Sequence, residues 1–143
     1  MNKTDAVIII SRCAKLYHTN LDGNQVLFVY RNECNHSDYT EVRFRSYNYM
    51  HFTGIIPRKG LSAKDFYRYA LSNHLSINDF SFREDHITEL KLNILEKIMN
   101  IDTSARMIGN YNGPHLDLYT EKVTGTTTAC LGLIEKGGLL YSK

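Results

Sequence analysis

The chain has no tryptophan, no Cys-X-X-Cys pair and no long apolar run. Its three cysteines, Cys13, Cys34 and Cys130, are odd in number and widely spaced. That pattern excludes a disulfide framework and predicts thiols kept reduced, as in a cytoplasm. The apolar stretch near the start, Ala-Val-Ile-Ile-Ile, is five residues long, too short for a signal sequence or a membrane span. Strong charge of one sign is also missing. With 17 basic and 15 acidic residues the formal net charge is +2, so no basic stripe announces a nucleic-acid binder. No Gly-rich phosphate loop, His-Glu-X-X-His or Gly-X-Ser-X-Gly motif occurs. His86 and Glu89 have a spacing that can share a metal on a helix, but no second pair accompanies them. Neither a metal site nor any other cofactor is expected, and nothing supports a catalytic thiol.

What is present is ordinary globular material, 43% apolar and 22% charged, rich in tyrosine: ten Tyr against six Phe. Tyrosine suits half-buried strand positions and base-stacking surfaces alike. A length of 143 residues predicts a single domain over 1–143. Basic residues gather modestly at Arg43, Arg45, Arg58, Lys59, Lys64 and Arg68, with Asp65 the one acid in that stretch.

Thr4 and Asp5 read as the cap of a first helix, with Ile9, Cys13, Leu16 and Tyr17 on one face and Ile10 beside Ala14 and Tyr17. Asp22-Gly23 reads as a turn. Gln25–Arg31 reads as a strand apolar on both faces and therefore central. Residues 32–39 read as a loop, and Thr40–Arg45 alternates with Val42 and Phe44 inward. Ser62 caps a helix whose apolar face holds Ala63, Phe66, Tyr67, Ala70 and Leu71. Asp85–Met99 is the strongest helical pattern, its arc formed by Ile87, Leu90, Leu92, Ile94, Leu95, Ile98 and Met99. Lys91 interrupts that arc. Either its stem snorkels to the edge or its ammonium has a specific partner. The remainder reads as strands near 105–109, 116–121, 126–134 and 139–141, with Lys122–Gly125 a turn or bulge. The order predicts an α+β fold, an antiparallel sheet with helices packed on one side.

Between the alternating strand and the Ser62-capped helix lies Tyr47-Asn-Tyr-Met-His51-Phe-Thr53-Gly54-Ile-Ile-Pro57. A histidine among rings that exclude water is either a hydrogen-bonded structural residue or an acid–base group. Metal-free RNA cleavage needs a proton acceptor, a proton donor and groups that bear charge on phosphate. His51, Lys91 or Lys122, and Thr53 or Thr128 are the required types. Thr128 lies on the small-residue face of its strand. Arg45, Tyr47, Arg58 and Lys59 are the candidate nucleic-acid contacts.

Met50-His51-Phe52-Thr53-Gly54 resembles the His-Leu-Thr-Gly signature of a phage-borne barnase–EndoU–colicin–RelE-like nuclease domain, the fourth of its named series. Ala63–Tyr67, Leu75–Phe80, Thr88–Leu95, Met107–Tyr111, Lys122–Gly125 and Ala129–Leu133 continue the resemblance in order. Phe52 departs from the usual leucine. The resemblance implies an RNase-toxin-like fold, an origin in phages or mobile elements, work in the bacterial cytoplasm, and His51, Thr53 and Lys91 as positions of interest, with Lys122 behind them. Two functions stay open. One is a metal-independent endoribonuclease acting on RNA. The other is a non-catalytic inhibitor that keeps the fold and docks onto a host nucleic-acid-handling protein of a defence system.

Overall fold

A computed structural model describes residues 1–31, 34–101, 107–110, 122–125, 130–136 and 139–142, the last four segments as backbone strands. The fold is α+β. Helix α1 spans Lys3–Asn20, β1 Gln25–Arg31 and β2 Ser37–Arg43. A 3-10 turn at Ser46–Asn48 runs into the short helix α2, Tyr49–Thr53. Then come β3 (Ile56–Pro57), α3 (Ala63–Leu71), β4 (Phe80–Ser81), α4 (Ile87–Met99), β5 (Met107–Asn110), β6 (Lys122–Gly125), β7 (Cys130–Lys136) and β8 (Leu139–Ser142).

The main sheet has six strands in the order β1-β2-β8-β7-β6-β5, and β3 with β4 forms a separate two-stranded ladder. Antiparallel pairing dominates, but β2 and β8 run parallel. A parallel pair needs a long crossover, and here the whole chain between β2 and β8 supplies it. Strand β1 is outermost, not central as its two apolar faces predict. An apolar face reports cover from above and below and says nothing of hydrogen bonding at the edge. The outer strands β1 and β5 approach one another, which curls the sheet. Lys122–Gly125 is a strand paired with both β5 and β7, where the sequence reads as a turn. The strand expected at 116–121 lies outside the described residues.

The cap of helix α1 lies two residues before Thr4, because Asn2 Oδ1 accepts the Asp5 amide at 2.8 Å. Its β-branched Val7–Ile10 run is helical, since Ala6, Ile10, Cys13, Ala14 and Tyr17 make one continuous buried stripe. Ser62 caps α3 as expected, accepting the Asp65 amide at 3.1 Å. In α4 the buried set is Thr88, Leu92, Leu95, Ile98 and Met99, while Leu90 is 63% exposed. Val42 and Phe44 are fully buried, as the alternation predicts, and with Val26 they join the helical core.

Tyr17 is the hub. Its ring meets Phe44 at 6.4 Å edge-on, Tyr49 at 5.3 Å, Phe52 at 5.9 Å and Tyr67 at 5.4 Å. Each buried phenol keeps a partner. Tyr17 donates to the Arg45 carbonyl at 2.6 Å, Tyr49 to the Ile10 carbonyl, and Tyr67 to Asp22 Oδ2 at 2.9 Å.

Burial makes this core sensitive to alkali. It pushes the Cys13 thiol from 9.0 up to about 11, and it raises Tyr17, Tyr49 and Tyr67 above 10.0. The unfolded chain therefore loses these protons first, and stability falls as pH rises. For Cys13 the loss runs from pH 9.0 to about 11. Lys91 acts oppositely, because its folded pKa lies below 10.5 and stability rises as pH climbs through that window. One such group stands against four, so the urea midpoint is expected to drop steadily above pH 9.0, and Cys13→Ala to flatten the first part of that drop. A midpoint constant to pH 10.0 would contradict this account of the core.

Candidate active site

The site is built on the turn that follows β2. The Tyr17 hydroxyl fixes the Arg45 carbonyl, and the Arg45 amide donates to Asn48 Oδ1 at 2.9 Å. This anchors the 3-10 turn from which α2 continues. Tyr49 and Phe52 point into the ring cluster, which leaves His51 on the exposed side of α2. Gly54 ends the helix in the left-handed region at φ 70°, and its amide donates to the His51 carbonyl at 3.3 Å.

Helix α4 holds this turn from outside. The Lys91 ammonium donates to the His51 carbonyl at 3.1 Å. Thr88 Oγ1 donates to the Gly54 carbonyl at 2.7 Å and accepts the Arg83 amide at 3.0 Å. Thr88 and Lys91 are three apart, so they share one helical face and together bind two carbonyls at the end of α2. Lys91 therefore breaks the apolar arc for a definite reason. Its stem covers Gly54, and its ammonium sits where the negative end of α2 favours a cation.

The contact between stem and glycine is close. A Cβ at Gly54 would lie 2.7 Å from Lys91 Cδ. Gly54→Ala is expected to cost about 1–2 kcal/mol for the left-handed backbone, plus a further loss as Lys91 is pushed off the His51 carbonyl. In a Lys91→Ala background that further loss should vanish, so thermal melts of the two single variants and the double should be less than additive. Strict additivity would show that the stem is not held against the glycine.

Lys91 is half-buried, with its ammonium at the surface. Loss of hydration lowers its pKa from 10.5, and the nearby Arg83 charge lowers it further. No carboxylate among the described residues lies within ion-pair distance of Lys91. The ammonium at the His51 carbonyl thus sits in the positive field of Arg83, which an anion would relieve. An ammonium has three donors, and one is committed to His51, so two remain for such an anion.

The other residues singled out in the sequence divide. Thr53 is fully buried; its hydroxyl donates to the Met50 carbonyl at 2.6 Å and accepts the Ile55 amide at 3.4 Å. In this conformation it shapes the turn from inside. Lys122 sits on β6 opposite Asn110 and Leu133. Thr128 lies outside the described residues. Tyr47 is 57% exposed, and Arg45 and Lys59 are exposed. Arg58 is committed to Asp79 at 2.9 Å, tying β3 to the turn before β4. Burial opposes the Asp79 charge, yet the Ser76 amide and the Arg58 guanidinium outweigh it and hold the carboxyl below its usual range. The basic cluster read from the sequence is further divided by the pairing of Arg68 with Asp65 at 3.1 Å. Thr88 and Arg83 are the contributors not singled out by sequence reasoning, while Gly54 closes the Met50–Gly54 signature read there. The three-residue spacing of Thr88 and Lys91 is the signal that points to the first of them.

Among the described residues no helix is long and apolar enough to cross a membrane, and no three His, Cys, Asp or Glu side chains gather as a metal set. A family model described as phage-Barnase-EndoU-ColicinE5/D-RelE like nuclease 4 matches residues 9–138. Comparison with curated proteins and with solved structures finds no match. The matched span runs from α1 through β7 and includes His51, Gly54, Thr88, Lys91 and Lys122.

Proposed function

Because the chain belongs to the phage-Barnase-EndoU-ColicinE5/D-RelE like nuclease 4 family, we propose that it is a metal-independent endoribonuclease centred on His51, acting on RNA in the cytoplasm of a bacterial host. The observation that carries this reading is the Lys91 ammonium, 3.1 Å from the main-chain carbonyl of the exposed His51 and with no carboxylate paired to it among the described residues. A phosphate diester supplies the missing negative charge.

In the proposed reaction the 2′-oxygen of RNA attacks the adjacent phosphorus, and the bond to the 5′-oxygen breaks. His51 carries one of the two proton transfers, either from the 2′-hydroxyl or to the leaving 5′-oxygen, and water carries the other. Lys91 uses its outward N–H groups to bear charge on the non-bridging oxygens while still bound to the His51 carbonyl. Arg83 adds to the positive field. Thr53 and Thr88 act as positioning residues, one from inside the turn and one from α4. Lys122 on β6 is a second cation for the phosphate, and Thr128 a hydroxyl donor to it.

The test is incubation of a mixed RNA pool with the purified chain in excess chelator. The expected products are fragments with 2′,3′-cyclic phosphate and 5′-hydroxyl ends. Intact RNA, or cleavage that requires added divalent metal, would overturn the reading.

A further inference from the structure

Away from His51, a cleft of about 310 Å³ opens where the α1–β1 turn meets the end of β2, lined by Gly23, Asn24, Gln25, Arg43, Phe44 and Arg45. We propose that this cleft is a phosphate subsite for the stretch of RNA flanking the scissile bond. The proposal rests on the ribonuclease reading for the identity of the ligand.

The cleft is rigidly framed. Phe44 is fully buried, and its carbonyl accepts the Gly23 amide at 3.1 Å. The next carbonyl, that of Arg45, is held by Tyr17. Gln25 and Arg43 are directly paired across β1 and β2. With its amide oriented to satisfy both neighbours, the Gln25 side-chain nitrogen donates to Glu41 Oε1 at 2.6 Å, while its oxygen accepts from Arg43 Nε at 2.8 Å and from a terminal Arg43 guanidinium nitrogen. One amide thus orients the guanidinium. Gly23 adopts φ 74°, and a Cβ there would meet nothing within 4 Å, so that wall is open. The adjacent acid, Asp22, is turned to other partners: it accepts the Tyr67 hydroxyl at 2.9 Å and faces His18 at 3.9 Å. The Arg45 guanidinium is exposed and has no ion-pair partner among the described residues. Two arginines at one cleft, one with its guanidinium held by Gln25 and the other exposed with no ion-pair partner among the described residues, favour an anion with several oxygens.

The position of the cleft sets its role. From Arg45 the chain runs directly through the 3-10 turn and into α2, which carries His51. Tyr47, 57% exposed, lies between the two in sequence. A single strand could therefore place one phosphate at Arg43 and Arg45, stack a base on Tyr47, and present a neighbouring phosphate to His51 and Lys91.

The test is binding, measured by fluorescence anisotropy over a range of salt, of a short 2′-O-methylated oligonucleotide that cannot be cleaved. Relative to the wild-type chain, an Arg43→Gln/Arg45→Gln variant is expected to bind at least about tenfold more weakly. Its salt slope should be shallower by about 0.7, the share of one neutralised phosphate on a single strand. Arg12→Gln, which removes a charge that is paired with Glu96 and does not line the cleft, is expected to bind as wild type. Equal binding by the double variant at every salt concentration overturns the subsite, as does failure of the wild-type chain to bind. If the double variant binds weakly while ordinary RNA is never cleaved by the wild-type chain, the subsite stands and the catalytic reading falls.

Discussion

Replacing His51 with alanine is expected to slow RNA cleavage by about 10²–10⁴-fold, the usual share of a positioned acid–base group. Stability should change by no more than about 0.5 kcal/mol, as for other exposed positions. The separation of the two effects follows from the geometry. His51 is exposed, and its main-chain carbonyl receives the Lys91 ammonium and the Gly54 amide. Alanine retains that carbonyl. Lys91→Ala should behave differently, because it removes a charge from the proposed phosphate site and also a hydrogen bond from the turn. Cleavage rates by gel assay and urea midpoints, taken together, read both effects. An undiminished rate in a folded His51→Ala variant would remove the imidazole from the chemistry.

Tyr17→Ala is expected to cost about 3–5 kcal/mol, in the range of large aromatic deletions from a packed core. Its ring contacts four others, and its hydroxyl holds the Arg45 carbonyl at the entrance to the 3-10 turn. Tyr17→Phe keeps the ring and loses one hydrogen bond, so about 1 kcal/mol is expected. Urea unfolding of the three proteins gives the comparison. A cost below about 1 kcal/mol for Tyr17→Ala would mean that the ring cluster does not centre on Tyr17.

The difference between these variants bears on what a sequence can reveal. Alternation at Val42 and Phe44, the Ser62 cap and burial of Ile10, Cys13, Ala14 and Tyr17 are local patterns that the structure realises, while Ile9 and Leu16, expected on the same face, are only partly buried and Ala6 takes their place in the stripe. The Lys91 anomaly is also visible, because a charge inside an apolar arc violates a local rule. Its partner is not. A carbonyl has no sequence signature, and His51 reaches Lys91 across 40 residues through the packing of α2 against α4. Thr53 shows the converse limit. Its type suits a phosphate ligand, yet the end of α2 turns its hydroxyl inward to Met50. Arg58 is equally ambiguous until β3 and β4 pair and bring Asp79 to it. The edge position of β1 and the parallel pairing of β2 with β8 depend on the return of the distant C-terminal strands, which no pattern within β1 or β2 encodes.

The central claim is that RNA phosphate is handled at the turn clamped by α4. Its most direct test is a nuclear magnetic resonance titration with the non-cleavable oligonucleotide, following the His51 imidazole and the Lys91 ε-methylene signals. The account expects both to shift together and to saturate at the same concentration, with Thr88→Ala weakening the response and Thr88→Ser restoring it. Oligonucleotide binding that leaves the His51 and Lys91 signals unmoved would contradict it.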